Sequence, residues 1–180
     1  MNYVHTYPNS YIRYKASDMI LHIDSDAAYL VAPKAHSRVA GYFHLSDHPL
    51  KGSKPMLNGA IHVECKTLRH VVSSAAEAKV AGVFHNSQIA IPIRTLLHAL
   101  DHPQPPTPVK TDNSTAEAFS NSTLKEKRSK AWGMRLYWIQ DRVTNKEFYI
   151  YWKAGDDNFV DYFTKHFAPS YHQKIRPTYI

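Results

Sequence analysis

The order of strand-like and helix-like segments constrains the fold of this chain more than any other feature of its sequence. Three segments with the two-residue alternation of β-strands come first, at residues 19–31, 40–45 and 59–67. Their short, turn-rich connections favour an antiparallel meander. Two further strand-like segments, 107–113 and 147–155, each follow a helical pattern, so parallel crossovers are expected there. The sequence therefore predicts an α/β fold whose mixed five-stranded sheet, three antiparallel strands then two parallel, is flanked by helices.

Helical patterns occupy the segments between and after these strands. Ser73 and Ser74 offer N-caps for a long apolar helix, which Pro92 is expected to kink or restart. Apolar residues recur at helical spacing after the basic run 125–130, and a final helix is predicted to start near residues 156–158 and to include Phe167.

We expect three parts along the chain. The main domain is predicted at residues 19–168, preceded by an N-terminal extension at 1–18 and followed by a C-terminal tail at 169–180. A length of 180 residues is enough for one domain with a sizeable core.

The composition limits which binding partners and which cellular compartment are expected for this chain. The net charge of +7 favours a polyanionic partner, most commonly nucleic acid, although a soluble protein that is simply basic is an equal alternative. Cys65 is the only cysteine, which excludes an intramolecular disulfide and fits a reducing compartment. Because no apolar run approaches the roughly 20 residues of a membrane span, no membrane association is expected.

Four acidic residues stand where chemistry is expected, namely Asp24, Glu77, Asp112 and Asp161. Aspartate is disfavoured within strands, so Asp24 needs a partner, and a divalent cation shared with other carboxylates is an efficient one. Taken singly, Glu77 fits a solvated helix residue, Asp112 a turn residue and Asp161 a charge at a helix N-terminus. One sheet edge can gather all four, however, and together they predict a metal site. Asp26 shares a strand face with Asp24 and is predicted to be an accessory acid.

Short motifs surround these acids. They read, in chain order, Asp24-Ser25-Asp26, Ser73-Ser74-Ala75-Ala76-Glu77, Thr111-Asp112-Asn113-Ser114 and Val160-Asp161-Tyr162-Phe163-Thr164-Lys165. In this order they resemble the four motifs of the ribonuclease H domain of copia-type retrotransposons, over roughly residues 11–165. The second motif lacks the usual extra glutamate, which leaves Glu77 as its only acid.

The resemblance implies a ribonuclease H-like fold and hydrolysis of the RNA strand of an RNA–DNA hybrid during reverse transcription. It implies that the four acids hold two Mg²⁺ or Mn²⁺ ions, which activate water and stabilise the leaving oxygen. It also implies that the N-terminal extension is the connection from a reverse transcriptase in the same polyprotein. The expected location is the cytoplasm or an intracellular retroelement particle.

The resemblance also assigns residues to the substrate. Those expected to touch the hybrid are Asn113, Ser114, Lys125, Lys127, Arg128, Lys130 and Trp132. Asn113 and Ser114 would hydrogen-bond the RNA strand beside Asp112, or would cap a helix, or both. The basic residues would contact the DNA strand, with a solvated charged loop as an equal alternative, and Trp132 fits the core as well.

Two other functions compete with this one. The first is another nuclease of the same superfamily, such as a DNA-strand transferase or a junction resolvase, but the helical glutamate and the acid beside Thr164-Lys165 fit ribonuclease H better. The second is a catalytically decayed copy that still binds hybrids. Four intact acids argue against decay.

Overall fold

A computed structural model gives the fold of the chain and describes residues 5–48, 56–114, 117–118, 130–154 and 158–180. The strands are β1 (Ile20–Ala32), β2 (His36–Ser46), β3 (Ala60–Thr67), β4 (Thr107–Thr111) and β5 (Phe148–Trp152). The helices are α1 (Ala75–Ala99), α2 (Lys130–Thr144), α3 (Asp161–Thr164) and α4 (Pro169–Ile175), and a 3-10 turn covers Arg176–Thr178.

The five strands form one mixed sheet in the order β3-β2-β1-β4-β5. The pairs β1–β2 and β2–β3 are antiparallel, whereas β1–β4 and β4–β5 are parallel. This confirms the predicted sheet of three antiparallel strands followed by two parallel ones. Strand β1 lies at the centre of the sheet and carries Asp24 and Asp26 beside the strand β4.

Helix α1 covers one face of the sheet and builds the main core. Val80 and Val83 of α1 are buried in one cluster with Leu21 and Ile23 of β1. Burial of side chains of this size contributes about 1.5–3 kcal/mol each. At Gly82 the helix lies so close to β1 that an added Cβ would stand 3.2 Å from the Asp26 carbonyl oxygen. The core therefore holds the N-terminal half of α1 firmly against the strand that carries Asp26.

Helix α1 does not restart at Pro92, so of the two outcomes expected at this proline, a kink or a restart, the restart is wrong. The helix is continuous from Ala75 to Ala99. Proline removes the hydrogen bond to the carbonyl four residues earlier, which belongs to Gln88. Pro92 and Gln88 are both exposed, so water can satisfy that carbonyl, and packing of the opposite face keeps the helix together.

The C-terminal region differs from its prediction as well. Instead of one helix that includes Phe167, α3 ends at Thr164 because Lys165 is extended (φ −112°, ψ 161°), and Pro169 begins α4. Beyond α4, the ring of Tyr179 packs 5.7 Å from Tyr42 and 5.3 Å from Phe163. The C-terminal residues thus cover part of the sheet face opposite α1.

Two histidines are buried on this second face of the sheet. His22 and His44 are each only 2% exposed, and their rings stack 5.5 Å apart. Within the described residues, neither ring nitrogen of His44 has a hydrogen-bond partner. Burial lowers the pKa of His44 from its ordinary 6.5 to about 4, since a charged imidazolium would be poorly solvated there.

We predict that stability falls as the pH decreases from about 6.5 to about 4. In this window the unfolded chain protonates His44 while the folded chain does not, so the free energy of unfolding decreases by up to about 1.4 kcal/mol per pH unit. Urea unfolding of the wild type and of His44→Phe at pH 7 and pH 5 checks this. His44→Phe should show a smaller pH dependence, and equal dependence in both proteins would contradict the prediction.

Candidate active site

Three carboxylates meet at one edge of the sheet. One oxygen from each of Asp26, Asp112 and Asp161 lies within 4.8 Å of the others. Asp26 lies within β1, Asp112 directly follows the last residue of β4, and Asp161 begins α3. Because β1 and β4 are parallel neighbours, their side chains reach the same edge, and α3 adds the third acid. We call Asp26, Asp112 and Asp161 the acidic group.

Asp26 is the buried member of the acidic group, with 1% of its surface exposed. Its Oδ1 accepts a hydrogen bond of 2.5 Å from Lys79 Nζ, and its Oδ2 accepts one from Thr164 Oγ1. Burial by itself would raise the pKa of Asp26. The charge of Lys79 and the two hydrogen bonds outweigh burial, so the pKa lies below its ordinary value and the carboxylate stays ionised.

Asp112 and Asp161 are half-buried and also contact lysines. Lys79 Nζ lies 2.7 and 2.9 Å from the two carboxylate oxygens of Asp112. Lys165 Nζ donates to Asp161 Oδ2 at 2.5 Å. Burial and the nearby negative charge of Asp26 raise the pKa of Asp161 in spite of Lys165. Repulsion between carboxylates, together with burial, therefore raises the pKa of one member of the group, Asp161.

Asp24 lies outside the acidic group, although the sequence predicts Asp24 as the strand acid and Asp26 as an accessory. Asp26 takes the position in the group that this prediction gives to Asp24. Asp24 pairs across the strands with Lys110 of β4, and Lys110 Nζ donates to its Oδ2 at 2.8 Å. Two residues along a strand span about 6.6 Å, so Asp24 lies about that far along β1 from Asp26, on the side away from the acidic group.

Glu77 also lies outside the acidic group, at the beginning of α1. Its Oε2 accepts hydrogen bonds from the backbone N–H of Ser73 at 2.6 Å and from Ser73 Oγ at 2.7 Å. In return, Ser74 Oγ accepts from the backbone N–H of Glu77 at 3.1 Å. This reciprocal arrangement resembles a capping box and gives Glu77 a structural role at the helix N-terminus.

We expect Glu77→Ala to lower the free energy of unfolding by about 1 kcal/mol, because Ser73 loses its acceptor. Glu77→Gln keeps an acceptor oxygen and should lose less. Urea denaturation of both variants measures the difference. Equal stability of the wild type and Glu77→Ala would contradict the capping role, and a large loss of activity in a stable Glu77→Gln would favour a role in metal binding.

The predicted substrate-binding residues fall into two sets. Asn113 and Ser114 directly follow Asp112, and the N–H of Asn113 donates to Thr111 Oγ1 at 3.3 Å. Ser114 is helical and exposed. The residues Lys125, Lys127 and Arg128, and the side chains of Lys130 and Trp132, lie outside the described residues.

Sequence reasoning missed Lys79 and gave Asp26 a minor role. A signal for Asp26 exists in the strand register. Asp24 pairs with Lys110, so counting two residues along each parallel strand places Asp26 beside Asp112. Lys79 carries no comparable signal, since a lysine on a helix most often faces solvent.

The donor set fits a hard divalent cation. Mg²⁺ and Mn²⁺ prefer carboxylate oxygens, and the acidic group offers three within one cation's reach. In the described residues the position between Asp26 and Asp112 is taken by the Lys79 ammonium, which provides the positive charge that these carboxylates need. The residues therefore fit one such cation provided that Lys79 moves aside.

Solved structures share this fold. The N-terminal ribonuclease H domain of a Mycobacterium tuberculosis protein matches with a TM-score of 0.54 and 11% identity, covering 81% of this chain and 91% of that domain's chain. A ribonuclease H1 isolated from compost, solved in complex with an RNA/DNA hybrid, matches with a TM-score of 0.54 and 10% identity over 79% of this chain and 92% of its own. The Halobacterium salinarum ribonuclease H1 matches at 0.53 and 12%, over 80% and 93%.

These likenesses establish the fold. The chain has a ribonuclease H-like fold, as the sequence predicts. No protein-family model matches the sequence, and a search of curated proteins gives no significant match. Within the described residues, no helix combines the length and apolar character needed to cross a membrane.

Proposed function

We propose that this chain is a ribonuclease H, a divalent-metal-dependent endonuclease that hydrolyses the RNA strand of RNA–DNA hybrids. The observation that carries the proposal is the convergence of Asp26, Asp112 and Asp161 at one sheet edge of a ribonuclease H-like fold. The net charge of +7 supports a nucleic-acid substrate. A structural neighbour solved with an RNA/DNA hybrid supports the choice of hybrid.

In this proposal Asp26, Asp112 and Asp161 hold Mg²⁺ or Mn²⁺. The bound cation would lower the pKa of water and stabilise the leaving oxygen of the phosphodiester. Thr164 fixes one oxygen of Asp26 and so acts as a positioning residue, whereas Lys165 pairs with Asp161 from the half-exposed side, where solvent screens its charge. A second ion, with Glu77 as a further ligand, is part of the proposal that rests on the motif resemblance alone.

The substrate contacts are likewise proposed. Asn113 and Ser114 follow Asp112 and are suitably placed to hydrogen-bond the RNA strand, where the 2′-hydroxyl distinguishes RNA from DNA. The basic run 125–130 would bind phosphates without sequence preference.

The biological setting rests on the four sequence motifs. We propose that the domain belongs to a copia-type retrotransposon and acts in its reverse transcription. The N-terminal extension would connect it to the reverse transcriptase, and the site of action would be the cytoplasm or an intracellular retroelement particle.

One observation favours a second candidate, a hybrid-binding domain without catalysis. Lys79 makes short ion pairs with two of the three acids, so the chain carries its own cation at the site. If this ammonium cannot be displaced, the fold would still bind hybrids but would not hydrolyse them.

A single set of reactions tests the proposal. The protein is incubated with end-labelled RNA–DNA hybrid, duplex DNA and duplex RNA, each with Mg²⁺, Mn²⁺ or excess chelator. We expect cleavage within the RNA strand of the hybrid alone, and only with metal. Hybrid binding without cleavage in either metal would favour the second candidate, and preferential cutting of duplex DNA would favour another nuclease of the superfamily.

A further inference from the structure

Lys79 occupies an unusual place for a lysine. Its Nζ lies 2.5 Å from Asp26 Oδ1 and within 2.9 Å of both carboxylate oxygens of Asp112, and the side chain is only 14% exposed. An ammonium in this position contacts the oxygens that a divalent cation would need. We propose that Lys79 is a built-in counter-ion that a divalent cation must displace before it binds, an inference that rests on the proposed function.

The fold fixes Lys79 in this orientation. Position 79 lies two residues after Glu77, which is about 200° around the helix, so the two side chains point to opposite sides of α1. Glu77 contacts Ser73, whereas Lys79 reaches the acidic group. The close approach of Gly82 to Asp26 holds this part of α1 against β1. Position 79 is therefore the place on α1 from which a side chain enters the acidic group.

Charge balance explains why the lysine stabilises the metal-free protein. Three ionised carboxylates would repel one another, and Lys79 and Lys165 offset most of that charge. Burial of Lys79 would by itself lower its pKa, but the charges of Asp26 and Asp112 raise it above its ordinary value. Without metal, the ammonium supports the fold. With metal, the same ammonium repels the incoming cation and competes for its ligands.

The proposal predicts that removing the charge of Lys79 strengthens cation binding. Lys79→Met keeps a side chain of similar length without the ammonium. Lys79→Glu should strengthen cation binding more than Lys79→Met does, because it places a fourth carboxylate in the acidic group. Lys165→Met is the matched control, since Lys165 also pairs with an acid but is about half exposed, where solvent screens its charge.

The experiment is calorimetric titration of each protein, over all 180 residues, with Mn²⁺ in the absence of nucleic acid. We expect Lys79→Met to bind Mn²⁺ about tenfold more tightly than the wild type, Lys79→Glu more tightly still, and Lys165→Met to change by less than about threefold. Melting curves give a second readout. Without metal, Lys79→Met should melt below the wild type, and Mn²⁺ should raise its melting temperature more.

The outcomes separate this inference from the proposed function. Equal Mn²⁺ affinity of wild type and Lys79→Met, with both folded, would overturn the counter-ion role while leaving a nuclease possible. No Mn²⁺ binding by any of the four proteins would overturn the cation site itself, and with it the proposed function. If Lys79→Met does not fold, Lys79→Gln replaces it, because its amide keeps hydrogen-bond donors but carries no charge.

Discussion

Asp26→Asn is expected to lower the rate of hybrid cleavage by at least about 100-fold, as the loss of one member of a cooperative site does. The amide preserves the shape of the side chain but removes the negative charge that would hold a cation. The structure makes this residue the buried member of the acidic group, in contact with Lys79 and Thr164. Initial rates with labelled RNA–DNA hybrid and Mg²⁺ give the measurement.

Asp24→Asn is the matched control for that variant. Asp24 stands two residues earlier on the same strand face but pairs with Lys110 outside the acidic group. Its amide should retain cleavage within about tenfold per folded molecule, although the protein should be less stable. If Asp24→Asn loses activity as severely as Asp26→Asn while remaining folded, the proposal that Asp26 rather than Asp24 is the strand acid of the site is wrong.

Lys110→Met is expected to reduce the free energy of unfolding by about 3–5 kcal/mol, because it leaves the Asp24 carboxylate buried without its partner. Both side chains of the Asp24–Lys110 pair are only 10% exposed, and their charged atoms are 2.8 Å apart. An exposed pair would contribute far less. Urea denaturation at neutral pH, with the same slope for variant and wild type, measures the loss.

The double variant Asp24→Asn with Lys110→Met provides the control for this prediction. Removal of both charges leaves no isolated buried ion, so the double variant should be more stable than the sum of the two single changes implies. Additive effects of the two substitutions would show that the pair is not coupled and that Lys110 contributes through packing alone.

The sheet could be predicted from sequence because the strands show a two-residue alternation, the first two connections are short and rich in turn residues, and the last two contain helices. The ends and the continuity of the helices are harder to predict from sequence. Continuity of α1 through Pro92 depends on the exposure of Gln88 and on packing of the opposite face, which arise only in the folded protein. The early end of α3 at Thr164 depends on the extended backbone of Lys165.

The site could be predicted in part. Asp112 and Asp161 were expected at a strand end and a helix start, and both lie there. The choice between Asp24 and Asp26 depends on where β4 ends relative to β1, which is a matter of register between distant segments. The contact of Lys79 with the acidic group depends on how α1 is rotated about its axis. Neither property can be obtained from local periodicity, which shows only that two residues share a face.

The proposed ribonuclease H function is tested most directly by the rate at which the protein cuts the labelled RNA strand of an RNA–DNA hybrid, measured beside Asp112→Asn at equal folded concentration. We predict cleavage by the wild type with Mg²⁺ or Mn²⁺, none in excess chelator, and at least about a 100-fold lower rate for Asp112→Asn. Undiminished cleavage in chelator, or a normal rate for Asp112→Asn, would contradict it.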